Sequence, residues 1–200
     1  MFLRMERKNS GLSLYDIGDE KMKIIKAMPE NAESIVETLF KIAEAGKEEI
    51  DGRVIEKLNI QRNSLIKKEK DALRKGTREK YIAVKGDEII GYISYNKHKS
   101  KKYQAEITGI FVLEEYYGNG VGTRLIKKVT TELIDNGYKN MLIWADKNNE
   151  YRDFYTEIGG NALEIQEKMI NGHNYTGIGY VFDDLIKTIE LCDEGVLKYK

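Results

Sequence analysis

Three glycines at alternate positions, Gly118, Gly120 and Gly122, end one apolar run and begin another. Before them stands Ile107–Leu113 (ITGIFVL), rich in β-branched residues; after them Val121, Leu125, Ile126, Val129 and Leu133 keep helical spacing. A strand, a glycine turn and a helix start, in that order, form a seat for an anion. The first N–H groups of a helix have no intrahelical partner, and the helix dipole is positive where they point. Glycine adds positive φ and removes the Cβ that would hold a phosphate off the backbone. The spacing therefore predicts a phosphorylated ligand at residues 118–123.

Three phosphate-loop designs compete for this segment. A P-loop requires Gly-Lys-Ser/Thr at its end, and Gly122-Thr123 has no lysine between them. The dinucleotide fingerprint G-x-G-x-x-G fits Gly118 and Gly120, but Thr123 takes the third glycine. Asp146 lies near the end of the next expected strand, where a ribose-binding acid would sit, so this design stays open on spacing. The third is a pyrophosphate loop of the form Q/R-x-x-G-x-G/A. Residues 117–122, Tyr-Gly-Asn-Gly-Val-Gly, match it everywhere except the first position, where Tyr117 stands for Gln or Arg.

A second block supports the third design. The pattern N-x-x-A-x-x-F/L-Y-x-x-x-G-F is met by Asn148, Phe154, Tyr155 and Gly159, with Tyr151 in place of the small residue and Gly160 in place of the last aromatic. Between the blocks, Asn140–Ala145 (NMLIWA) is an apolar run of strand length. With both blocks, from about Lys23 to Val181, the chain resembles the GNAT acyltransferases.

That resemblance implies a mixed α/β GNAT fold, a central, partly antiparallel sheet flanked by helices. It also implies acetyl-CoA as the acyl donor and a small-molecule or peptide amine as the acceptor. The pyrophosphate then falls to Tyr117, Gly118, Asn119, Gly120, Val121, Gly122 and Thr123. Ile110, Phe111 and Val112 lie along the pantetheine arm, at a place where two strands splay in the family. An N–H near Ile110 becomes the donor to the thioester oxygen, and Gly109 fits a bulge there.

The chemistry asks for a neutral amine and a protonated leaving group. A departing thiolate has an intrinsic pKa of roughly 8.5, and the Tyr155 phenol, in phase with Asn148 and Gly159, is the candidate acid. A core tyrosine is the bland alternative in a chain with 13 tyrosines. Glu106 is the candidate base, acting through a water; strand alternation places Glu106, Thr108 and Ile110 on one face. Otherwise it is an ordinary strand glutamate. Asn148 either bonds the pantetheine or caps the following helix.

Other groups carry weaker expectations. His98 and His173, the only histidines, fall in or beside expected turns, and no metal site is expected. Cys192 lies outside both motifs. The basic run from Arg62 to Lys80 is either the solvated face of a helix or a guide for an anionic acceptor or the coenzyme's 3′-phosphate. Glu48, Glu49 and Asp51, between two helices, face the same choice between a cationic amine and solvent. The acceptor pocket is expected from residues 46–54 and 169–176. A non-catalytic acyl-CoA-binding module is the alternative to the enzyme.

Positioning these groups requires an alternating α/β chain. Strands are expected at Lys23–Ala27, Lys80–Lys85, Glu88–Tyr95, Tyr103–Leu113, Asn140–Ala145, Leu163–Ile170 and Tyr175–Phe182. Helices are expected at Glu30–Ala45, Val54–Leu73, Gly120–Asn136 and Glu150–Ile158, with a helical tail over 183–200. Residues 1–21 read as an extension, either a disordered lead or a docking arm, ahead of a domain at 22–182. A third of the residues are charged but the net charge is zero, so nucleic acid and membrane exert no broad pull. One cysteine fits a cytoplasmic setting and forms no internal disulfide; a homodimer is compatible with the rest.

Overall fold

The structure, a computed structural model, describes residues 13–17, 20–45, 52–97, 102–170 and 173–197. Its strands are β1 (Ser13–Ile17), β2 (Glu20–Lys26), β3 (Glu79–Lys85), β4 (Glu88–Lys97), β5 (Ala105–Val112), β6 (Met141–Asp146), β7 (Asn161–Ile170) and β8 (His173–Phe182). They lie in one sheet in the order β1-β2-β3-β4-β5-β6-β8-β7. Every neighbouring pair is antiparallel except β5 and β6. The helices are α1 (Ala32–Ala45), α2 (Gly52–Lys75), α3 (Val121–Asp135), α4 (Asp153–Glu157) and α5 (Leu185–Leu197).

Alternation along the strands sorts side chains onto two faces. On one, Ile82, Ile89 and Tyr92 pack with Ile35 of α1. On the other, Tyr81, Ala83, Ile90, Ile107 and Ile143 pack against the apolar stripe of α3 (Val121, Leu125, Ile126, Val129 and Leu133), with Cys192 of α5 in the same core. The crossover from β5 to β6 runs through α3, as a parallel pair requires. α3 ends at Gly137, φ 79°, where Tyr138 N–H reaches Leu133 O at 2.9 Å and Gly137 N–H reaches Ile134 O at 2.9 Å. The expected hairpin at Gly86-Asp87 joins β3 to β4, Gly86 taking φ 57°.

Three differences from the sequence reading stand out. Ser13–Ile17, within the expected extension, pairs with β2 at the sheet edge. The helix expected from Glu150 begins at Asp153 and spans five residues. The register between β4 and β5 shifts, Ser94 pairing with Gly109 and Tyr95 with Ile107, so Thr108 is the extra residue of a bulge.

Candidate active site

β5 and β6 start side by side and then part. Ala105–Ile107 pairs with Met141–Ile143, and the parallel ladder stops there. Ile110–Val112 stays bonded to β4 on its other edge. Leu113 donates its N–H to Ile90 O, toward β4, at 2.9 Å. Peptide groups alternate sides along a strand, so those of Ile110 and Val112 point the other way, into the wedge left by β6. The bulge sets this phase: without Thr108 as an extra residue, Ile110 would face the other sheet side.

The glycine loop closes the wide end of the wedge. Gly118 has φ 72° and Gly120, the residue before α3, has φ 69°. The first helical bond runs from Arg124 N–H to Gly120 O at 3.1 Å, so the N–H groups of Val121, Gly122 and Thr123 precede the ladder. Arg124 is buried beneath the loop and its Nη1 donates to Asn119 O at 2.6 Å, adding positive charge at the positive end of the helix. A Cβ on Gly122 would stand 3.6 Å from the Phe154 ring and 3.8 Å from Ile110 Cδ1, in the space between loop and wedge. The loop and wedge thus fit an extended ligand with an anionic end.

One groove joins these parts, lined by Ile110, Phe111, Val112, Tyr117, Gly118, Gly120, Val121, Gly122 and Thr123 on one side and by Asn149, Tyr151, Phe154 and Tyr155 on the other. Tyr155 is buried, with its ring 5.1 Å from that of Tyr180 and 5.4 Å from that of Phe154. Burial pushes its phenol up to about 12, with Tyr180 and Tyr175 adding to the shift, so the proton is held at neutral pH. Tyr117 and Tyr151, the two aromatic departures from the motif patterns, meet at the groove mouth with centroids 5.1 Å apart, edge to face.

The structure corrects two expectations. Glu106 and Ile110 do not share a face, because the bulge inserts one residue between them. Ile107, Ile110 and Val112 all face α3, whereas Phe111 packs with Tyr92 on the α1 side. Glu106, opposite in phase to Ile107, therefore faces the α1 side; it is half-buried between Asn96 of β4 and Leu142 of β6 and does not line the groove. Asn148 caps no helix: it is exposed, and its N–H bonds Asp146 Oδ1 at 2.7 Å. Its neighbour Asn149 lines the groove instead and accepts from Tyr151 N–H at 2.8 Å. Asn119 is exposed and does not line the groove: its Nδ2 donates to Tyr117 O at 3.1 Å and its carbonyl accepts from Arg124.

A second cavity, of about 570 Å³, lies on the other sheet face under α1 and α2. Phe111 lines both spaces. Lys80 is buried here, its Nζ 2.7 Å from Glu69 Oε1 and 4.4 Å from the centre of the Tyr92 ring. Ser94 Oγ and Thr108 Oγ1 are 3.0 Å apart on its floor. The sequence reading did not place these residues together. One signal was available: Lys80 alternates in phase with Ile82, which put it on a buried face. Of the segments expected to form the acceptor pocket, residues 46–51, with Glu48, Glu49 and Asp51, lie outside the described residues, as does His98. His173 begins β8. Among the described residues no group of three or more His, Cys, Asp or Glu is placed to hold a metal ion, and no helix is long and apolar enough to cross a membrane.

A strand pair that parts beside a glycine loop is matched by sequence as well. The model of the acetyltransferase (GNAT) family matches residues 42–159, more than half the chain. The chain belongs to the GNAT acetyltransferase family. An uncharacterized N-acetyltransferase of Bacillus subtilis (strain 168), YuaI, is 28% identical to this GNAT chain over 134 residues, 64% of this chain and 78% of that protein. A thialysine N-epsilon-acetyltransferase of Bos taurus is 34% identical over 77 residues, 38% of this chain and 44% of the relative. Among solved structures, the PaiA N-acetyltransferase from Thermoplasma acidophilum, in complex with coenzyme A, has a TM-score of 0.60 at 14% identity, with 81% of this chain and 98% of that one covered. That likeness supports the same fold over 81% of the chain. The dinucleotide design left open by loop spacing does not survive the family match.

Proposed function

We propose that this protein is an acetyl-CoA-dependent N-acetyltransferase that passes the acetyl group directly to a primary amine while both are bound. The observation that carries this reading is the wedge between β5 and β6, open beside Ile110–Val112 and closed by the loop at 118–123. When bound, acetyl-CoA supplies a thioester carbonyl open to attack by a neutral amine.

The chain's residues do the rest. The N–H groups of the loop and the start of α3 hold the pyrophosphate, with the Arg124 charge behind them. The free edge at Ile110 and Val112 takes the amides of the pantetheine arm. The Ile110 N–H stands fixed as donor to the carbonyl oxygen and needs no reorganisation as charge grows there. The new C–N bond forms as the C–S bond breaks; its electron pair goes to sulfur, which takes the Tyr155 proton. The amine enters through the second cavity, with Phe111 as the wall common to both substrates. The amine's proton passes to water, because Glu106 lines neither space. The bovine relative's name supports a small amine as acceptor. The single cysteine fits a reducing, cytoplasmic setting.

The test is release of free thiol from acetyl-CoA across a panel of primary amines, with products weighed by mass spectrometry. Amine-dependent release matched by the acetylated amine is expected. Tight acetyl-CoA binding with no release for any amine would make the chain a non-catalytic acyl-CoA-binding module.

A further inference from the structure

The basic run of α2 divides in the structure. Arg62 pairs with Glu37 on α1 and Arg74 with Asp71 on its own helix. Lys68, Arg78 and Lys80 instead line the cavity behind Phe111. Among the described residues, Glu69 is the carboxylate that lines it with them, and Glu69 is already committed to Lys80 at 2.7 Å. Lys80 is almost fully enclosed, and its ammonium also lies over the Tyr92 ring. Burial lowers its pKa most, against the raising effect of Glu69, and the Arg78 charge lowers it further. Among the described residues no ion pair engages Lys68 or Arg78.

The sheet floor beside β3, on β4 and β5, is polar without being charged. Asn96 Oδ1 is buried there with no hydrogen-bond partner, next to the Ser94 and Thr108 hydroxyls. An unmatched buried carbonyl oxygen favours an N–H donor from a ligand. The cavity thus has a charged end, where Arg78 and Asn96 neighbour each other across the β3–β4 ladder, and an uncharged path past the Ser94 and Thr108 hydroxyls toward Phe111.

We propose that this cavity selects an acceptor amine that carries a carboxylate, an amino-acid-like molecule, with Arg78 and Lys68 receiving the carboxylate, Asn96 beside them receiving an N–H of the same end, and Ser94 and Thr108 lining the way of the reacting amine to Phe111. This rests on the acetyltransferase reading and narrows its acceptor. Arg78 offers the planar fork that matches a carboxylate, and Lys68 adds a point charge. A polyamine or aminoglycoside brings several positive charges into a space already lined by three cations, and the one carboxylate lining it among the described residues is engaged. A volume of about 570 Å³ suits an amino acid or a dipeptide.

The experiment uses the full chain loaded with coenzyme A and reads binding by calorimetry, independently of turnover. Lysine, ornithine and other diamino acids are each compared with their carboxamide and with the decarboxylated diamine. The parent should bind the acid at least tenfold more tightly than its amide and its diamine. Arg78→Gln should bring that ratio close to one, while Arg78→Lys should keep part of it. Acetyl-CoA affinity should not change in either variant. No binding by any diamino acid, an equal or greater affinity for the amide or diamine, or a ratio unmoved by Arg78→Gln would each overturn the proposal. A retained carboxylate preference with no acetyl transfer would instead overturn the catalytic reading and leave the cavity's selectivity standing.

Discussion

The coenzyme groove and the cavity behind Phe111 lie on opposite sides of β5 and are made of different material. The groove is largely backbone: free peptide groups at Ile110 and Val112, the start of α3, and glycines that let a ligand come close. The cavity is side chains, brought from α1, α2, β3, β4 and β5. Backbone groups depend on a strand parting and a turn closing, and these devices serve any acyl donor of the same skeleton. Side chains can change one at a time, so the acceptor side is where a chain of this family sets its own choice. The bulge at Thr108 belongs to both: it turns Ile110 toward the groove and leaves Thr108 in the cavity.

Substitutions on the groove side should act in a graded order. Tyr155→Phe keeps the packing against Tyr180 and removes the acid; kcat should fall by about 10²–10⁴-fold, with acetyl-CoA affinity almost unchanged. A kcat within threefold of the parent would return Tyr155 to the core. The pH dependence follows from the same group. Held at about 12 by burial, the phenol keeps its proton across the range where the amine loses one. The parent rate should therefore rise with pH and show no fall due to Tyr155 until pH approaches that value. Because the folded value lies above the unfolded one of roughly 10, the stability linked to this phenol is complete below pH 10 and is lost as pH rises through about 12.

The two loop glycines should separate folding from binding. Gly120→Val puts a β-branched residue at φ 69°, which should cost roughly 1–3 kcal/mol of stability as well as coenzyme affinity. Gly122→Val meets only ordinary contacts at Phe154 and Ile110, so its melting temperature should stay near the parent's. Its side chain fills the ligand's space, and each charge-assisted bond lost is worth on the order of 1.5–3 kcal/mol of affinity. Unchanged acetyl-CoA affinity by calorimetry in a folded Gly122→Val would remove the loop from the account. Tyr151→Ala, which breaks an exposed ring pair, should weaken acetyl-CoA by less than about tenfold, in line with the roughly 0.5–1.5 kcal/mol of an aromatic contact.

Cys192→Ser should have the smallest effect on rate, within a factor of about two, because direct transfer uses no cysteine carrier. The thiol is fully buried in the α3–α5 core, and burial pushes it up to about 12, so it is not a thiolate at neutral pH. An acetylated Cys192 together with ping-pong kinetics would contradict direct transfer.

The contrast between the two sides also explains what could be read from the sequence. The loop and β5 are contiguous, and glycine at 118, 120 and 122 has few other reasons to recur at that spacing, so the groove was largely legible. The parting of β5 from β6 came through the family resemblance, since a strand's missing partner leaves no local mark. The facing of Glu106 was misread because a bulge shifts the period by one, and Gly109 signals a bulge without fixing which neighbour becomes the extra residue. Asn148 and Asn149 are adjacent and alike, and only the turn that follows decides which one reaches the groove. The cavity was illegible for another reason: Glu69 and Lys80 meet across a helix and a strand, and the hairpin register that sets Arg78 beside Asn96 does not show that a cavity covers them.

The most direct test is a crystal structure of the complex with coenzyme A. The pyrophosphate is expected on the N–H groups of residues 118–123, and the pantetheine arm along the free edge of Ile110–Val112 with its sulfur beside Tyr155. Coenzyme bound anywhere other than the wedge between β5 and β6, or a wedge filled by β6 pairing on past Ile107, would contradict that placement.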